Sequence, residues 1–176
     1  MNRRTTLRLL ILLFLASAAY AQHHKPYAGQ HERDLKALSP QEVQQYLAGA
    51  GMGYAKPAEL NRFPGPMHVL ELADRLELTA DQWAATKKLM GEHKAEARAI
   101  GAKLVDAERA IETLFRSGEV PAEKLAQAVN EATVLEGQYR LSHLETHRRM
   151  RALLTDEQVK RYDELRGYGH KGGHKH

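Results

Sequence analysis

The chain has 176 residues, ten histidines, no cysteine, and 26 Lys and Arg against 22 Asp and Glu, a formal net charge of +4. Without cysteine there is neither a disulfide framework nor a thiolate ligand, so any bound metal must use imidazole, carboxylate or thioether groups. Three of the cations and none of the anions fall in the first 21 residues, leaving 23 against 22 beyond them and a net charge of +1, so the pI of about 9.3 is no argument for nucleic-acid binding.

Those first residues have the form of an export signal. Arg3, Arg4 and Arg8 precede an apolar run over residues 9–16, and Ala19-Tyr20-Ala21 is a small-x-small cleavage site. A signal peptide over 1–21, cleaved after Ala21, is expected, with a periplasmic destination. The run is well short of the ~20 apolar residues that span a bilayer, so no stable membrane anchor is expected. The remaining 155 residues suffice for one modest domain. Residues 22–38 read as a flexible N-terminal segment. If the mature chain opens Gln22-His23-His24, its free amine with histidine third offers a square-planar site for Cu or Ni, unless Gln22 cyclises.

The helical domain is expected over 39–166. Ser39-Pro40-Gln41-Glu42 has capping-box spacing with proline at the first helical position, predicting a short helix that ends near Gly49. Gly49, Gly51 and Gly53 make a link, a helical turn follows over 55–61, and Phe63-Pro64-Gly65-Pro66 forms a rigid corner. A helix over 66–77 buries Val69, Leu70, Leu72, Ala73 and Leu76.

The five-residue word L-T-x-x-Q then occurs twice, as Leu78-Thr79-Ala80-Asp81-Gln82 and Leu154-Thr155-Asp156-Glu157-Gln158. Each threonine can cap a helix whose third residue is the glutamine, while the leucine closes over the fourth as a hydrophobic staple, pairing Leu78 with Trp83 and Leu154 with Val159. Local physics therefore makes both words helix starts at sharp corners. Between them, apolar or small positions recur in alternating steps of three and four from Trp83 through Thr86, Met90, His93, Ala97, Ile100, Leu104, Ala107 and Ile111 to Leu114. That predicts a helix over 80–116, about 55 Å long at 1.5 Å per residue. Ser117-Gly118 ends it, and a return helix over 121–153 matches its period. A short helix reaches about residue 166, and the Gly, His and Lys tail over 167–176 has the composition of a disordered, weakly metal-binding end. The fold class expected is all-α: a long antiparallel helical hairpin with short flanking helices. Such thin cover over a long seam predicts a homodimer.

His143-Leu144-Glu145-Thr146-His147 places two imidazoles on one helix face, which Met150 continues. Residues facing each other across the hairpin should have numbers summing to about 237, which sets His143 opposite His93 or Lys94 and His147 opposite Met90; folding back the preceding helix brings His68 to the same level. Either His68, His93, His143 and His147, with Met90 and Met150, form a site for a divalent ion such as Zn, Ni, Co or Cu, or these are half-buried seam histidines with ordinary partners. No cofactor is required. No enzyme is expected either, because a zincin helix needs H-E-x-x-H and no nucleophile or glycine-loop pattern occurs.

With its two L-T-x-x-Q words at hairpin corners, residues 35–168 resemble the periplasmic family that contains the Spy and CpxP chaperones, zinc-resistance-associated proteins and periplasmic heavy-metal sensors. Ala58-Glu59-Leu60-Asn61 and the run from Pro64 to Ala73 are similar to the branch of metal sensors and refolding chaperones. The resemblance implies a bent, hooked four-helix fold that dimerises. It implies either an ATP-independent cradle for unfolded client proteins, open to tuning by a bound metal, or a His-rich metal sensor or scavenger acting on a regulatory membrane protein. Thr79, Gln82, Thr155 and Gln158 match the family word, and His143 and His147 resemble the sensors' ligands. Membrane-anchored sensors keep the first apolar segment, which reads here as cleavable.

Overall fold

The structure is a computed structural model that describes residues 27–168. The expected signal peptide, Gln22, His23 and His24, and the tail histidines His170, His174 and His176 lie outside the described residues. Among the described residues all regular structure is helical, and no helix is long and apolar enough to cross a membrane. The chain divides after Asp34. In the first unit, Gly29 at φ 77° leads into a 3-10 turn, Gln30–Glu32.

The second unit begins at Leu35, which is buried at 4% exposure, and Lys36 reaches Glu112 at 2.6 Å. It holds α1 (Pro40–Ala48), α2 (Lys56–Glu59), α3 (Pro66–Glu71), α4 (Ala80–Arg116), α5 (Ala122–Leu153) and α6 (Asp156–Arg166). The Ser39–Glu42 capping box forms, and Gly49 at φ 68° closes α1 in the left-handed conformation. At the far end Ser117 Oγ donates to Leu114 O and accepts from Glu119 N, Gly118 adopts φ 75°, and Pro121 precedes α5. The two long helices run antiparallel, as the Arg149–Glu92 pair at 2.9 Å and the His143–His93 contact at 3.0 Å require. One apolar cluster gathers Leu35, Tyr46, Ala97, Leu104, Val105 and Tyr139 between α1 and the hairpin. A second gathers Val69, Leu76, Leu89, Met150, Val159 and Tyr162 where α3 and α6 meet its open end.

Three expectations need correction. The helix over 66–77 stops at Glu71, and the chain continues in turns that bury Leu76 and end with Glu77 at φ 52° and Leu78 N donating to Ala73 O at 3.1 Å. This is a helix-ending motif with glutamate in the position glycine favours. The buried stripe of α4 is also wider than one seam, since Leu89, Gly101 and Val105 are buried too. A coiled-coil seam serves one partner, whereas α4 is packed by α1, α3 and α5. Finally, Trp83 is 45% exposed with Lys87 Nζ 4.4 Å from its ring centroid. It lies on the side of α4 that α1 covers only farther along, so the first staple does not bury it, whereas Leu154 and Val159 of the second share the lower core.

Candidate functional site: a buried histidine pair beside a glutamine latch

Both L-T-x-x-Q words form complete capping boxes, with Thr79 accepting from Gln82 N at 3.1 Å and Thr155 from Gln158 N at 3.2 Å. The sequence did not reveal that the words meet. Gln82 Nε2 donates to Gln158 Oε1 at 2.8 Å, and Gln158 Nε2 returns to Gln82 Oε1 at 2.9 Å. Their second N–H groups reach Leu153 O at 2.9 Å and Leu76 O at 3.3 Å, while each Oε1 also accepts from its own cap threonine's backbone N–H. Each amide thus uses both donors and both acceptor positions. The two helix starts are joined into one polar latch at the open end of the hairpin.

Farther up, α4 and α5 present His93 and His143 to each other, with His93 Nε2 3.0 Å from His143 Nδ1 and ring centroids 4.5 Å apart. Tyr139, whose ring lies 4.8 Å from that of His143, is fully buried and donates from Oη to Ala50 O at 2.6 Å. Tyr54 comes from the link after α1; its hydroxyl bonds to Tyr46 Oη and donates to Glu136, each at 2.9 Å. These aromatic groups seal the pair, and His143 is only 4% exposed. His93 Nδ1 and His143 Nε2 are buried without a hydrogen-bond partner. Whichever ring donates between them, one outer nitrogen is then an orphan N–H and the other an orphan lone pair.

Burial makes protonation costly. It is the leading cause that lowers His93, followed by the field of His147, and burial, His93 and His147 together push His143 down to about 4. Burial first, then the Tyr46 field, raises Tyr139 to about 12. Both central imidazoles are therefore neutral at pH 7, the state in which imidazole ligates a metal.

The other candidates are placed differently. His147 Nδ1 faces Phe63 O at 2.7 Å; a carbonyl only accepts, so Nδ1 carries the proton. Its ring sits against Gly65, where a Cβ would stand 2.9 Å from His147 Cε1, and Glu59 Oε2 lies 3.6 Å from Nδ1. Glu59 also accepts from Gly65 N at 3.0 Å and from the Tyr162 hydroxyl, tying the corner before α3 to α5 and α6. His68 turns to Glu71 at 2.8 Å. Met150 belongs to the lower apolar cluster, and Met90 is half-buried on α4. Among the described residues no three His, Asp or Glu converge as a metal-holding group. The pair alone has metal-like spacing: two imidazoles bonded at 2.0–2.1 Å to one tetrahedral ion stand about 3.3 Å apart.

No protein-family model, no curated protein and no solved structure matches the chain.

Proposed function

We propose that the chain is a periplasmic stress protein of the Spy/CpxP type, which holds unfolded or exposed apolar segments without ATP on the face of the α4–α5 hairpin opposite α1. In this reading the helices form a hooked four-helix arrangement and the working unit is a homodimer. The observation that supports it is that uncovered face. Leu141 is 63% exposed and Val134, two turns earlier on the same face of α5, is 56% exposed, beside a groove that Ile100 floors and Glu96, Gln138 and Glu145 border. Fully burying each such side chain is worth roughly 1.5–3 kcal/mol, enough for weak, reversible holding by several anchors. The test is suppression of aggregation of a heat-unfolded enzyme by metal-free protein, with Val134→Asp/Leu141→Asp as the comparison. The reading expects suppression that the double variant loses. Absence of suppression at equimolar protein, or unchanged suppression by the variant, overturns it. Light scattering should show a dimer at micromolar concentration.

The 3.0 Å spacing of His93 Nε2 and His143 Nδ1, close to that of two imidazoles on one ion, favours a second reading, a sensor or scavenger of Zn, Ni, Co or Cu coupled to a regulatory membrane protein. Calorimetric titration with each ion at pH 7.5 and 5.5 tests it. His143→Ala should weaken binding more than truncation before His170. If truncation abolishes binding and His143→Ala leaves it intact, the central pair is structural.

A further inference from the structure

The side of α5 that faces α1 and α2 carries a second surface, independent of the bare hairpin face. The link after α1 and the short α2 leave an open groove of about 450 Å³ against α5, lined by Met52, Tyr54, Lys56, Pro57, Leu60 and Arg140 among others. Its apolar wall is exposed at Leu60, 53%, and the exposed apolar surface continues beyond the groove to Phe63 on the same turn, 37%. That turn is held rigid, with Asn61 N and Phe63 N both donating to Ala58 O at 3.0 Å and Asn61 Nδ2 to Pro57 O at 2.7 Å. Met67, on the first turn of α3, is another 48% exposed. Exposed leucine, phenylalanine and methionine within eight residues make the kind of adaptable apolar surface that binds partners.

Charge selects among partners. Most arginines nearby are held by carboxylates, Arg62 by Asp163, Arg148 by Glu145 and Arg149 by Glu92. Lys56 and Arg140 have no carboxylate partner among the described residues, and no acidic side chain lines the groove. The nearest carboxylate on α5, Glu136, one turn before Arg140, is engaged by the Tyr54 hydroxyl. The groove therefore offers an apolar wall with two cations that make no direct ion pair. We infer that this groove docks a polypeptide segment in which acidic residues alternate with large apolar ones, its apolar side chains against Leu60 and Met52 and onward over Phe63, and its carboxylates on Lys56 and Arg140.

The test is fluorescence anisotropy of the whole protein with three labelled peptides of one length: Leu/Phe alternating with Asp/Glu, the same with Lys/Arg for the acids, and the same with Ser/Gln. The acidic peptide should bind about tenfold tighter than its basic twin and weaken several-fold between low and high salt, as rim charges within a Debye length require. Lys56→Gln/Arg140→Gln should remove most of that preference, Leu60→Ser should weaken all three peptides, and Lys103→Gln/Lys124→Gln should change nothing. All three variants alter exposed side chains, and circular dichroism verifies their fold. Equal binding of the basic twin, or an acidic peptide indifferent to Lys56→Gln/Arg140→Gln, overturns the inference. So does loss of the acidic peptide in Val134→Asp/Leu141→Asp, which would place it on the bare face. Anionic vesicles that bind with the same Lys56 and Arg140 dependence while the peptide does not would assign the groove to a membrane and equally overturn it.

Discussion

Three helical glycines respond in opposite directions to the same substitution, and the geometry at Gly101 decides which. A Cβ built on Gly101 would lie 2.1 Å from Tyr46 O and 2.8 Å from Tyr46 C, both backbone atoms of α1, whereas ordinary contact begins at 3.4 Å. To accept alanine, α1 must back away by more than 1 Å. That movement disturbs Gly49, itself packed on Arg98, and the Tyr139 hydroxyl bond to Ala50 O at 2.6 Å. Overpacking of this kind costs about 1–3 kcal/mol and a weakened hydrogen bond about 1 kcal/mol more. The better helix propensity of alanine returns about 1 kcal/mol. Gly101→Ala should therefore destabilise by about 1–3 kcal/mol. Gly91 and Gly137 have nothing within 4 Å of a built Cβ, so Gly91→Ala and Gly137→Ala keep only the propensity gain and should stabilise by about 0.5–1 kcal/mol each. Urea unfolding followed by far-UV circular dichroism, with equal slopes to ensure comparable denatured states, measures all three. If Gly101→Ala stabilises as the other two do, α1 is not seated on α4 at this point and the packing argument is wrong.

The histidine pair makes stability fall in mild acid. His143 has its folded pKa lowered to about 4 from an ordinary 6.5, so above pH 6.5 it contributes no pH dependence, and from 6.5 down to about 4 the unfolded chain takes up a proton the folded chain refuses. The loss over that window approaches about 3 kcal/mol at 1.36 kcal/mol per unit. Urea unfolding at several pH values between 7.5 and 5 should show this slope, and His143→Gln should flatten it; an unchanged slope in the variant would place the responsible group elsewhere. At the latch, Gln158→Glu is informative because glutamate serves an isolated capping box as well as glutamine does. Here it loses the donors to Leu76 O and Gln82 Oε1, so it should destabilise by roughly 1–3 kcal/mol, and a neutral result would mean that the two glutamines do not depend on each other.

The elements were legible where local chemistry is decisive. Serine or threonine with glutamate or glutamine three residues on started α1, α4 and α6, and Gly49, Ser117-Gly118 and Pro121 bounded helices as expected. What failed was the direction of the buried face. A three-four repeat in α4 marks one apolar stripe, but α1 and α3 pack on other flanks of that helix, so Gly101 and Val105 gained burial and Trp83 lost it. The end of α3 failed for a related reason. Its residues continue a helical pattern, yet Leu76 and Leu78 must turn into the lower core, and the chain accepts a left-handed glutamate at Glu77 to bring them there.

Counting residues back from the hairpin turn gives levels along the helices and not directions around them, which explains the mixed outcome at the histidines. His93 and His143 were expected at one level and do touch, because both lie on the faces that α4 and α5 turn toward each other. His147 is at the right level too, but one helical turn past His143 its ring leans toward the corner, where Phe63 O needs a donor and Gly65 leaves the room. His68 finds its nearer partner in Glu71, one turn along its own helix. The carbonyl and the carboxylate thus orient the outer imidazoles through Nδ1 and turn them away from the inner two, which alone keep buried nitrogens without a partner. The same counting could have found the latch, since Gln82 and Gln158 begin helices that the fold returns to one end. The signal was two identical words separated by an almost complete out-and-back excursion, which brings equivalent atoms together, so that each amide completes the other.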